Sequence, residues 1–216
     1  MRRIEHHLWK DRAFVRSFFM GSVALLLSLV CVYYSMLFAT KNASNSVDDL
    51  ILSNTPVFNV EPLFVYGAFA AVIFSILVTL TVKLRSAPFV LKTGALFLFI
   101  RSIFVSLTHI SPYPYRAELS ESFLSSERLA KMFFTGDDLF FSGHVGLTFL
   151  MALLFWDTPA LRYIYLVTSV VFAIVVLLGH LHYSIDVFAA YFITYSIHSM
   201  GMYLFARDYA RTRATS

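Results

Sequence analysis

The chain has 216 residues, 58% of them hydrophobic and only 14% charged, with 23 Phe and 12 Tyr. Soluble domains are roughly half apolar and a quarter charged, so a water-exposed fold of this length would carry more apolar surface than it could bury. The net charge of +4 is small and no basic stripe interleaves with polar sequence, which argues against nucleic acid. The lone Cys31 rules out an intrachain disulfide and reads as a small packing residue in an apolar run.

Apolar runs near 20 residues are candidates for membrane-spanning helices. In chain order the predicted spans are 17–40, 62–82, 89–108, 143–156, 161–179 and 184–206. The third is interrupted by Lys92 and Arg101, and the fourth is short. Arg2, Arg3, Lys10, Arg12 and Arg16 precede the first run as in a signal peptide. That run is too long for one, and no small-x-small cleavage site follows. With no internal repeat or linker, residues 1–216 are expected to form one all-α domain, a polytopic bundle of six membrane helices.

Six spans put both termini on one side, and the basic residues indicate which side. Eleven fall on the terminal side: Arg2, Arg3, Lys10, Arg12, Arg16, Lys83, Arg85, Arg162, Arg207, Arg211 and Arg213. Four fall on the other: Lys41, Arg116, Arg128 and Lys131. The termini are therefore expected in the cytoplasm. The 41–61, 109–142 and 180–183 connections then face outward or into a lumen, and Asn42-Ala43-Ser44 is a glycosylation sequon on that side. Both His144, at the start of the fourth helix, and His182, before the sixth, fall at this face.

In "HLHYSID", His182 and Asp186 are four residues apart. On a helix they share a face. The carboxylate would fix the imidazole tautomer and make its other nitrogen a better base or nucleophile. An acid followed by Val187, Phe188, Ala189 and Ala190 is a functional candidate because ionisable groups inside spans are costly.

In "GDDLFFSGH", Gly143 permits close backbone approach to a ligand, and a helix start suits a phosphate. Ser142 is expected to cap the helix, and His144 is placed to move a proton to or from an oxygen. Asp137 and Asp138 would act as acids, hold an amine head group or solvate the loop. Arg101 needs an anion, whether Asp137, Asp138, Asp186 or a substrate phosphate. Lys92 is expected to snorkel. His109, Tyr113 and Tyr115 look interfacial, and His180 and His198 look like packing or interfacial residues. Two histidines with a carboxylate also allow a zinc site.

Together these residues resemble the sphingomyelin synthase family, a branch of the type 2 phosphatidic acid phosphatase superfamily. Its pattern Cys-Gly-Asp-x-x-x-Ser-Gly-His is similar to Gly136 through His144, with Asp138 at the family aspartate and Gly136 and Asp137 where Cys and Gly are usual. His-Tyr-Thr/Ser-x-Asp is met by His182, Tyr183, Ser184 and Asp186. Arg101, Thr108, Pro112 and Pro114 look like a third block; the amino-terminal Pro-Leu-Pro-Asp block is not matched.

The resemblance implies metal-free, cofactor-free chemistry on membrane lipids. His182 would attack phosphorus, Asp186 would orient it, and His144 would protonate the diacylglycerol leaving group and then deprotonate the acceptor. Asp137, Asp138, Arg101, Ser142, Gly143 and Tyr183 would line the substrate site. The donor would be a phosphoglyceride, and the acceptor a ceramide or a diacylglycerol-type lipid. The phosphatase branch has an Arg where this chain has Val176, and its Lys-x6-Arg-Pro block is absent here. Those groups hold a phosphate monoester, so their absence tilts the expectation toward a head-group transferase. A lipid phosphatase or phospholipase C-type hydrolase, and a non-enzymatic lipid-binding or transport protein, are the alternatives.

Overall fold

The computed structural model describes residues 7–117 and 139–213; Asp137 and Asp138 lie outside them. The described residues are helical, with no strand. The main helices are α1 (Arg12–Lys41), α2 (Glu61–Leu77), α3 (Ala87–Leu107), α4 (Gly143–Leu154), α5 (Pro159–Leu178), α6 (Ser184–Leu204) and α7 (Ala206–Arg213). Asp11 caps α1 by accepting the Ala13 N–H at 2.8 Å, and prolines at the first turns of α2, α3 and α5 stand where no helical N–H is needed. A π turn over Val78–Val82 prolongs α2.

Among the described residues, four helical stretches are long and apolar enough to cross a membrane: Arg12–Lys41, Glu61–Val82, Leu84–Leu107 and Pro159–Leu178. The six expected spans include two that differ. Helix α4 has only 12 residues, roughly 18 Å of rise. Helix α6 has the length, 21 residues, but Asp186, Thr194, Ser196, His198 and Ser199 dilute its apolar character. Three of these, Asp186, Thr194 and His198, are buried against the bundle and need no lipid-compatible surface.

The outer surface is apolar: Phe19, Leu26, Phe192 and Tyr203 are 67%, 63%, 77% and 85% exposed. Such a surface is stable against hydrocarbon and unfavourable against water. Helix α1 packs along α3. Its buried seam repeats every seven residues at Phe14, Gly21, Ser28 and Ser35. Three small residues there let the helices approach closely, the usual device where lipid removes the hydrophobic drive for association. A Cβ on Gly21 would lie 3.0 Å from the Leu91 Cβ.

Helices α3, α4, α5 and α6 surround the main core, which includes Phe97, Phe141, Val145, Phe172, Val176 and Ile197. Gly146 brings α4 against both neighbours: a Cβ there would stand 2.8 Å from the Phe97 ring and 2.9 Å from Thr194 Oγ1.

The two ends of the bundle differ. At one end meet the starts of α2, α4 and α6 and the ends of α1, α3 and α5. At the other, α7 folds back on α1 and α3. There Lys92 Nζ lies 2.6 Å from Asp208 Oδ2 and donates to Ser17 Oγ at 2.7 Å, while Ser17 Oγ–H donates to the same carboxylate. Lys92 therefore does not snorkel: α7 brings a carboxylate to it.

Candidate active site

Helix α6 starts at Ser184, so His182 precedes the helix rather than riding on it. The contact with Asp186 nevertheless forms, because Asp186 reaches back over the first turn. Its Oδ2 accepts the Tyr183 N–H at 3.2 Å and lies 3.3 Å from His182 Nδ1. A carboxylate only accepts, so Nδ1 carries a proton, and in the neutral ring Nε2 holds the lone pair. His182 and Asp186 are 3% and 2% exposed. A carboxylate shielded from water orients an imidazole more strongly than one in solvent.

The His182 turn is tied to α4 through backbone. The Ser142 N–H donates to the Asp186 carbonyl at 3.1 Å, linking the first turns of the two histidine-bearing segments. Just before Ser142, Phe140 and Phe141 have φ of 100° and 30°, in the left-handed region that bulky residues rarely enter. Aromatic packing holds them there: Phe141 meets Phe97 and Phe104 at ring-centroid distances of 5.5 and 6.0 Å, and Phe140 stacks on Phe104 at 5.3 Å. Strained backbone persists where its surroundings over-determine it, and such places cluster at functional sites.

Arg101, 4% exposed, reaches this same turn from α3. Its Nε–H donates to the Phe141 carbonyl at 3.3 Å. The guanidinium lies over Gly143, where a Cβ would come within 3.1 Å of Nε. The glycine therefore admits a cation to the first turn of α4. Of the anions expected beside Arg101, Asp137 and Asp138 lie outside the described residues; within them its Nε–H reaches the Phe141 carbonyl.

His144 occupies the second position of α4, its ring between Phe64 of α2 and Phe172 of α5 at 4.2 and 5.5 Å. Ser142 stands at the N-cap position, but its hydroxyl makes no capping bond. That hydroxyl is buried and has no hydrogen-bond partner among the described residues. The backbone conformation of the cap is present without the side-chain interaction expected of it.

Tyr183 was expected to face substrate. It is 2% exposed, and its hydroxyl donates to the Ser111 carbonyl at 2.8 Å and accepts the Val47 N–H at 3.2 Å. It fastens two connecting loops over the His182 turn. His180, with φ 51°, is a packing residue: Nδ1 lies 2.7 Å from the Tyr115 carbonyl and the ring meets Tyr113 edge-on at 5.3 Å.

The residue missed at the level of sequence is Asp49. It is buried in the loop between α1 and α2. Its Oδ2 accepts the Ser184 N–H at 2.7 Å, and its Oδ1 accepts those of Ile51 and Leu52 at 2.9 and 3.1 Å. Burial by itself would raise the carboxyl, but the bonds from Ser184, Leu52 and Ile51 outweigh it and hold Asp49 below the ordinary aspartate value. Asp49 thus supplies the α6 cap from 135 residues away. The acidic pair in "SVDDLIL" was its only trace in the sequence.

The structure therefore brings Arg101, Ser142, Gly143, His182 and Asp186 together through direct contacts, with His144 one residue beyond Gly143. Among the described residues no group of three His, Cys, Asp or Glu side chains is placed to hold a metal ion. The arrangement offers a tautomer-fixed imidazole, a second imidazole on a helix start and a buried cation. That is equipment for handling a phosphate in a water-poor site.

No curated protein and no solved structure matches the chain. A family model described as PAP2 superfamily C-terminal matches residues 136–204, about a third of the chain, a stretch that holds both histidines and Asp186. That stretch is therefore similar to the type 2 phosphatidic acid phosphatase superfamily, whose members are lipid phosphatases and phosphotransferases.

Proposed function

We propose that the protein is a lipid head-group phosphotransferase of the sphingomyelin synthase type. It would move phosphocholine or phosphoethanolamine from a phosphoglyceride to a ceramide-type acceptor. The observation that carries this reading is the buried His182–Asp186 pair, bonded through the Ser142 N–H to the helix that bears His144.

In the first half-reaction the His182 Nε2 lone pair attacks phosphorus and the bond to the diacylglycerol oxygen breaks. His144, protonated, gives its proton to that oxygen. The Nδ1–H shared with Asp186 offsets the charge that develops on the phosphorylated ring. In the second, His144 removes the proton of the acceptor hydroxyl, the oxygen attacks phosphorus, and the P–N bond breaks to regenerate His182. Arg101 and the first turn of α4 hold the non-bridging oxygens. Asp137 and Asp138 belong to the polar stretch before α4 and are assigned to the head-group side.

Transfer to a lipid acceptor is favoured over phosphate-monoester hydrolysis by Val176. Where the phosphatase branch has an arginine, this side chain is 0% exposed and packed in the apolar core. A diester carries less charge than a monoester and needs fewer cations.

The test is the purified protein in liposomes with labelled phosphatidylcholine or phosphatidylethanolamine, with and without ceramide. Ceramide-dependent phosphosphingolipid plus diacylglycerol is the expected product. Free head-group phosphate made without ceramide would establish a hydrolase instead. No product, with His182→Ala equal to the parent protein, would refute enzymatic function.

A further inference from the structure

At the end of the bundle away from His144 and His182, a cleft of about 460 Å³ is lined by Trp9, Lys10, Arg12, Val15, Arg16 and Phe19. We propose that this cleft binds the head group of an anionic phospholipid.

Three observations carry the proposal. The first is charge. Lys10, Arg12 and Arg16 are exposed, and none of them forms an ion pair among the described residues. The one acid within this stretch, Asp11, is already engaged: it caps Ala13 and lies 3.4 Å from Arg211. Three cations with no ion-pair partner among the described residues attract an external anion.

The second is depth. Helix α1 has 30 residues, roughly 45 Å of rise, against a hydrocarbon core of about 30 Å. Counting about 20 residues back from Lys41 reaches Gly21. The turns before it stand at head-group level, where lipid phosphates lie. The polar Ser17–Lys92–Asp208 cluster falls at the same level.

The third is the shape of the apolar side. Trp9, 48% exposed, is held at the lip by edge-on contacts with Phe14 and Phe18 at 5.6 and 5.3 Å. Phe19, one turn beyond Val15 on α1, is exposed toward the lipid-facing surface with Met20 and Val23. An amphipathic Trp beside an apolar floor suits the upper acyl chain, and the cations suit the phosphate above it. A free phosphate or a soluble acidic peptide would leave that floor unused.

Trp9 reports its own neighbours. The chain has two Trp, so Trp156→Phe leaves Trp9 as the single indole. The variant is placed in vesicles containing either dibrominated phosphatidylglycerol or dibrominated phosphatidylcholine at equal mole fraction, and quenching is compared. The anionic lipid is expected to quench in excess, and the excess should shrink about fivefold for each of Arg12→Gln and Arg16→Gln. It should also fall as sodium chloride is raised. Equal quenching by the two lipids in the Trp9-only protein overturns the proposal. An excess that ignores both the substitutions and salt overturns it too. If either arginine variant fails to insert, the salt series on the protein with both arginines decides alone.

Discussion

Asp49 offers the sharpest test of how the site is held. Its carboxylate accepts three backbone N–H groups, from Ser184, Ile51 and Leu52 at 2.7, 2.9 and 3.1 Å. Ile51 is exposed, so water can replace that bond. The other two donors lie in partly or wholly buried backbone, where each lost partner costs about 1–3 kcal/mol. Asp49→Ala should therefore destabilise the protein by about 2–6 kcal/mol. At this chain length that is a fall in melting temperature on the order of 10 °C. Asp49→Asn keeps one carbonyl oxygen but turns an amide donor toward the other N–H, so about half the loss should remain.

Function should suffer beyond stability. Freeing the Ser184 N–H loosens the turn that sets His182 against Asp186, and turnover should fall more than substrate affinity. Acid gives a second signature. A carboxyl held below its ordinary value contributes fully above the unfolded pKa of about 3.9 and loses that contribution as pH falls through the folded value. The parent protein should lose melting temperature below about pH 4 more steeply than Asp49→Asn. Thermal unfolding in detergent across pH, with turnover in liposomes, measures all three. An Asp49→Ala protein with the melting temperature and turnover of the parent would refute the argument.

Other expectations follow from single contacts. Gly143→Ala places a Cβ 3.1 Å from Arg101 Nε, so turnover should drop, by up to about 10²-fold, with little change in melting temperature. Gly146→Ala should do the reverse: its Cβ meets Phe97 at 2.8 Å in the core, costing about 1–3 kcal/mol by thermal unfolding. Lys92→Met leaves the buried Asp208 with Arg211 at 3.9 Å as its remaining cation and should cost up to about 3–5 kcal/mol, whereas Lys92→Met with Asp208→Leu should recover most of it. Under the proposed function, Asp186→Asn should lower turnover by up to about 10⁴-fold by releasing the His182 tautomer, a loss read in the liposome assay.

The sequence alone determined the membrane character and the pairing of His182 with Asp186. Both are local matters: a run of apolar residues needs no partner to be apolar, and a spacing of four is read within one turn. Residues 136–204 also carried their superfamily likeness in the order of a few polar residues. What the tertiary structure decided are contacts between distant segments. Asp49 reaches Ser184 across 135 positions and Asp208 reaches Lys92 across 116, and neither pairing leaves a periodic signal. The same holds for Ser142, whose sequence context promises a cap that its hydroxyl does not make. The six-span expectation differs where local hydropathy misjudges burial. Helix α6 can keep Asp186 and Thr194 because α3, α4 and α5, not lipid, surround them. Hydropathy counts what a residue is; only packing determines which neighbour it faces.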